Sequence, residues 1–110
     1  MIVCEGVFDV FGWFKCGFQN AVATFGKKIS SAQIDIIKMV NPKTIYIAWD
    51  NDAFGAKYGF CEKYGYLFND VKIVELPNGK DADECSVSEL TEAIKCSSNY
   101  DWTKKILGLL

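Results

Sequence analysis

Residues 44 to 49 form a nearly unbroken apolar run, Thr44-Ile45-Tyr46-Ile47-Ala48-Trp49, which stops at Asp50-Asn51-Asp52. A run this short and this apolar is the pattern of a strand covered on both faces, as a central strand of a parallel sheet is. Parallel strands cannot be joined by tight hairpins, so the rest of the chain must supply crossover helices. The acids at the end of the run carry the second constraint. In extended backbone alternate side chains project the same way, so the two carboxylates share a side. At a separation of about 4 Å near a protein surface they repel by roughly 4 kcal/mol. A bound divalent cation removes that penalty; a solvated turn between strand and helix is the plain alternative.

The flanking sequence supplies the crossovers. Ile2-Val3-Cys4 reads as a short buried strand, and Val7 to Cys16 as a helix stopped by Gly17. Asn20 to Phe25 is the next strand, and Ser30-x-x-Gln33 has capping-box spacing ahead of a second helix broken at Asn41-Pro42. After the central strand, Ala53 to Phe68 repeats apolar residues at helical spacing. Gly55 and Gly59 weaken that helix, and close approach of the helix to the sheet is the expected reason for them. Asp70 to Leu76 reads as a fourth strand whose charges, Lys72 and Glu75, suit a sheet edge. Ser86-x-x-Glu89 caps another helix through about Lys95, and Asp101 to Leu110 is a candidate last helix.

This alternation predicts an α/β fold, a four-stranded parallel Rossmann-like sheet of order 2-1-3-4 flanked by helices. Residues 1–97 are expected to form the domain, and 98–110 a C-terminal helix or the start of a linker. In that order the switch point falls between strands one and three, with Glu5 ending one and Asp50 and Asp52 ending the other.

Composition narrows the chemistry. The 110 residues include no histidine, and all 12 cations are lysine. Imidazole general bases, Ser-His and Cys-His machinery are therefore excluded, as is bidentate guanidinium recognition of phosphate or guanine. The five cysteines are odd in number, widely spaced and lack any C-x-x-C, so reduced thiols are expected rather than disulfides or a zinc site. With no apolar stretch of spanning length and no secretory pattern, a soluble, cytoplasmic chain is expected. A net charge of −2 does not by itself attract nucleic acid.

Four segments in order then carry a resemblance: Glu5-Gly6-Val7-Phe8-Asp9; Gly17 to Ala23 with Gly26; Asp50-Asn51-Asp52-Ala53-Phe54-Gly55-Ala56-Lys57; and Leu76-Pro77-Asn78-Gly79-Lys80-Asp81-Ala82-Asp83-Glu84. Over about residues 2 to 85 the chain resembles the Toprim domain of primases, topoisomerases and some nucleases, most closely that of bacteriophage primase-helicases. The resemblance implies that Glu5, Asp50 and Asp52 are catalytic and hold Mg²⁺ or Mn²⁺, with Asp81 and Asp83 as further metal ligands and Asp9 as a supporting acid. Phe54 departs from the pattern, which prefers a small residue before this glycine.

Each of these residues has a second reading. Glu5 and Asp9 would also suit a helix N-terminus, and Asp81 and Asp83 a solvated turn. Lys57 and Lys80 are candidates for nucleotide or phosphate contact, or plain surface lysines. Trp49 would stack on a base or be buried.

The function the resemblance implies is metal-dependent nucleotidyl transfer in RNA primer synthesis. Its partners would be a single-stranded DNA template, nucleoside triphosphates, a replicative helicase and the primase subdomains this chain does not encode. The isolated chain is expected to be inactive. Metal-dependent strand cleavage of the nuclease or topoisomerase kind, and a non-catalytic scaffold, are the alternatives.

Overall fold

The structure, a computed structural model, describes residues 1–26, 28–49 and 54–100, with Phe54 by its backbone alone. Asp50, Asp52 and the candidate helix 101–110 lie outside the described residues. The sheet is built from β1 (Ile2–Cys4), β2 (Ala21–Ala23), β3 (Ile45–Ile47), β4 (Val71–Ile73) and β5 (Ser98–Asn99), in the order β2-β1-β3-β4-β5. The first four strands are parallel, with Val3 opposite both Val22 and Ile47, and Ile47 opposite Ile73. The expected 2-1-3-4 order is present.

A fifth strand corrects the expected count and moves the edge. β5 pairs antiparallel to β4, Ile73 opposite Ser98 and Lys72 opposite Asn99, so β4 is interior to the sheet. The sheet thus runs two residues past the 97/98 boundary read from the sequence. Its cause is backbone pairing, extended by the Tyr100 N–H donating to the Val71 carbonyl at 3.0 Å, a length typical of a ladder bond.

Helices α1 (Val7–Lys15), α2 (Ser31–Val40), α3 (Phe54–Tyr64) and α4 (Val87–Lys95) cover both faces. The two-residue period of the strands sorts their side chains. Val3, Ile45, Ile47 and Ile73 pack with Ile34 and Ile37 of α2 and Phe60 of α3. Ile2, Cys4, Ala48 and Val74 pack on the opposite face with Trp13 of α1 and with Leu90 and Ala93 of α4.

Both capping boxes form. Ser30 Oγ accepts from Gln33 N at 3.1 Å while Gln33 Oε1 accepts from Ser30 N at 2.9 Å. Ser86 and Glu89 exchange the same bonds at 3.2 and 3.0 Å. α1 ends ahead of Gly17 (φ +95°), and α2 at Asn41 in the left-handed region (φ +54°) before Pro42.

The glycines of α3 do not serve close packing. Gly55 and Gly59 are exposed, and a Cβ built on either meets nothing within 4 Å among the described residues. The close approach occurs instead in α1. There a Cβ on Gly12 would stand 2.5 Å from Asp83 N and 2.6 Å from Ala82 C, so helix backbone rests directly on the backbone of the Ala82–Glu84 3-10 turn.

Candidate metal centre at the carboxyl edge of the sheet

Parallel strands release their chains on one edge, and the acids follow those exits. Glu5 leaves β1 half-buried, with its Oε2 shielded from solvent. Its backbone is braced by the loop after β2: Gly26 N donates to the Glu5 carbonyl at 3.3 Å, and Thr24 N and Oγ1 donate to the Cys4 carbonyl at 3.0 and 3.2 Å. The loop bends sharply, with Phe25 at φ +60° and Gly26 at φ +153°. A glycine at the second position accommodates that backbone without a Cβ penalty.

Asp9 occupies the first turn of α1, where its Oδ2 accepts from Gly6 N at 3.2 Å. This contact satisfies one of the orphan amides at the helix start, so the capping reading of Asp9 is realised.

The second acidic group follows β4. Asp81, Asp83 and Glu84 are exposed, and their carboxylate oxygens lie within 4.8 Å of one another. Glu84 Oε1 also accepts from Asp81 N at 3.0 Å, and Glu84 N donates to the Asp81 carbonyl at 3.0 Å, which closes the turn on itself. Glu84 is not among the acids that the resemblance implies as ligands. Its signal was available in the Asp81-x-x-Glu84 spacing, that of a helix start whose N3 acid reaches back.

The structure therefore brings Asp81 and Asp83 together, with Glu84. α1 connects them to the other described acids, for Asp9 stands one turn before Gly12, which touches the turn. Lys15, near the end of the same helix, donates from Nζ to the Asp83 carbonyl at 3.2 Å.

The two lysines differ. Lys57 is no surface residue: it is fully buried, donates to the Val74 carbonyl at 2.9 Å and lies 3.6 Å from Glu75 Oε2. Glu75 is about half exposed, so this pair is only partly withdrawn from water. Lys80 keeps 43% of its side chain exposed and forks onto both oxygens of Glu89 at 2.9 and 3.1 Å. That bond raises the Lys80 pKa. The Glu89 carboxyl lies below its ordinary value, first through the Ser86 backbone amide and then through Lys80. Trp49 is buried (1% exposed) edge-on to Phe60, 6.0 Å between centroids, which rules out an open stacking platform for a base.

Comparison with known proteins draws on the same segments. The model of the Toprim-like family matches residues 2–86. The DNA primase of Campylobacter jejuni is 35% identical over 86 residues, covering 76% of this chain and 14% of that protein. The DNA primase of Synechococcus elongatus is 32% identical over 113 residues, covering 92% of this chain and 16% of that one. Among solved structures, the zinc-binding and RNA polymerase domains of the Aquifex aeolicus primase match with a TM-score of 0.75 at 28% identity, over 90% of this chain and 26% of that one. The chain thus spans about a seventh of the length of the curated relatives it matches. Since the family match starts in β1, runs through the Asp50 to Asp52 segment and ends just beyond the Asp81–Glu84 turn, the chain belongs to the Toprim family.

Proposed function

We propose that this domain is the metal-holding part of a DNA primase and serves nucleotidyl transfer in RNA primer synthesis. One observation carries the reading: the Asp81, Asp83 and Glu84 carboxylates converge on a turn seated against the helix that Glu5 leads into, within a stretch matched by bacterial primases. The donor set fits the group. Every candidate ligand (Glu5, Asp50, Asp52, Asp81 and Asp83) offers carboxylate oxygen, which suits Mg²⁺ or Mn²⁺ over zinc. When bound, such an ion would neutralise triphosphate charge and favour in-line attack by a 3′-hydroxyl.

The chain's own residues prepare the site. Asp9 secures the start of α1 through Gly6 N, and the 24–26 loop holds the exit of β1. Lys57 is buried, its ammonium fixed on the Val74 carbonyl just past β4. Lys80, half exposed beside Glu89, is the lysine better placed to meet a phosphate. A single-stranded DNA template, nucleoside triphosphates, the remaining primase subdomains and a replicative helicase are the proposed partners.

The test is a chimera in which this chain replaces the matching segment of the Campylobacter jejuni primase. Template-directed primer synthesis is expected from the chimera, none from the isolated chain, and loss of synthesis with Glu5→Gln or Asp50→Asn. A folded chimera whose synthesis survives both substitutions refutes the assignment. Failure of the unsubstituted chain to bind Mn²⁺ in a titration favours the non-catalytic scaffold.

A further inference from the structure

We infer that Gly12 is a positioning residue for the metal centre: by lacking a side chain it sets how closely the Asp81–Glu84 turn sits on α1, and so how the acids after β4 register with those after β1. The inference rests on reading that turn as part of the metal site.

The geometry is specific to this glycine. A Cβ there would meet Asp83 N at 2.5 Å and Ala82 C and Asp83 Cα at 2.6 Å. These are backbone atoms, which cannot swing aside as the tip of a side chain can. Ordinary carbon contacts begin near 3.4 Å, so any larger residue must move the turn or the helix by roughly 1 Å. The turn has little room to absorb this. Trp13 and Ala82 on either side of the contact are fully buried, and the turn is closed internally by the Asp81–Glu84 bonds. Lys15 further ties the Asp83 carbonyl to the helix.

A displacement of this size matters for a hard cation. Mg²⁺ demands near-octahedral oxygen geometry, and ligand constellations work only when held within about 0.5 Å of it. Gly12 touches no ligand atom; it acts through the backbone of Ala82 and Asp83.

The experiment compares Gly12→Ala with its Gly59→Ala parent by Mn²⁺ titration read by electron paramagnetic resonance, and by amide chemical shifts of residues 81–85 without metal. Gly12→Ala is made in a Gly59→Ala background, where the added Cβ meets nothing among the described residues and supports folding. Ile34→Val on the far face is the control for general destabilisation.

Affinity is expected to fall about tenfold or more in Gly12→Ala, the scale seen when the supports of metal ligands are disturbed, and to be unchanged in Ile34→Val. Amide shifts are expected to cluster in 81–85. Equal Mn²⁺ affinity in Gly12→Ala and its parent overturns the inference, as does an unperturbed set of 81–85 amides. Absence of Mn²⁺ binding in the parent refutes instead the metal reading of the turn, and the amide shifts then decide the positioning role alone.

Discussion

Asp83→Asn should change the sign of its effect on stability when metal is added. The side chain is nearly isosteric, and the turn's bonds through Asp83 run through its backbone, so the substitution removes charge and little else. Asp83 shares the turn with two other carboxylates within 4.8 Å. At that distance in water each pair repels by about 0.9 kcal/mol, and the two pairs involving Asp83 sum to about 1.7 kcal/mol. Screening at physiological ionic strength, with a Debye length of about 8 Å, lowers this to roughly 1 kcal/mol. In a chelator the variant should therefore melt about 4 °C above the parent. With Mn²⁺ at about 100 times its Kd the parent gains about 2.7 kcal/mol by binding, and the variant, short of one ligand, gains much less. Differential scanning calorimetry in the two conditions reads both midpoints. A variant that is less stable in chelator, or shifted equally in both conditions, refutes the argument that these acids are held together for a cation.

Three further outcomes follow from the packing. Burial, with a smaller contribution from Glu62, pushes the Cys61 thiol up to about 12 from 9.0. Its folded pKa is raised, so this contribution is intact below pH 9 and lost as pH climbs from 9 to 12; denaturant melts across that range should fall less steeply for Cys61→Ala. Gly59→Ala should raise stability by up to about 1 kcal/mol in urea melts, since the helix gains propensity and the new Cβ meets nothing among the described residues. Ser30→Ala removes the α2 cap bond and should cost about 1 kcal/mol while leaving Mn²⁺ affinity unchanged by calorimetric titration.

The features legible in the sequence were those written in local signals. The caps at Ser30 and Ser86 need only a residue and its third neighbour, and the parallel core needs only short apolar runs, so both were found where expected. β5 was not legible: Ser98 and Asn99 are polar, exposed and two residues long, and they are a strand only because β4 lies alongside. Lys57 looked like a surface residue because its partners, Val74 and Glu75, are 17 and 18 positions away in sequence. The glycines teach the same lesson. Gly12, Gly55 and Gly59 are equivalent in helix propensity, and only the tertiary neighbours decide which one permits close contact. Glu84 joins the Asp81 and Asp83 cluster, and its spacing from Asp81 carried a local signal for the closed turn.

The Asp81–Glu84 turn shows which force holds a charged site in place. Three mutually repelling carboxylates at up to 4.8 Å oppose the turn by roughly 2 to 3 kcal/mol before screening. Against this stands the contact of α1 with the turn, where Trp13 and Ala82 are fully buried and Trp13 meets Phe18 edge-on at 5.2 Å. Truncating a buried tryptophan alone typically costs about 3–5 kcal/mol. Packing on this scale exceeds the repulsion, which is how a cluster of like charges is tolerated on the turn. The acids are in this way held close by apolar contacts beneath them, so a cation bound there as proposed would relieve electrostatic strain that the fold already sustains.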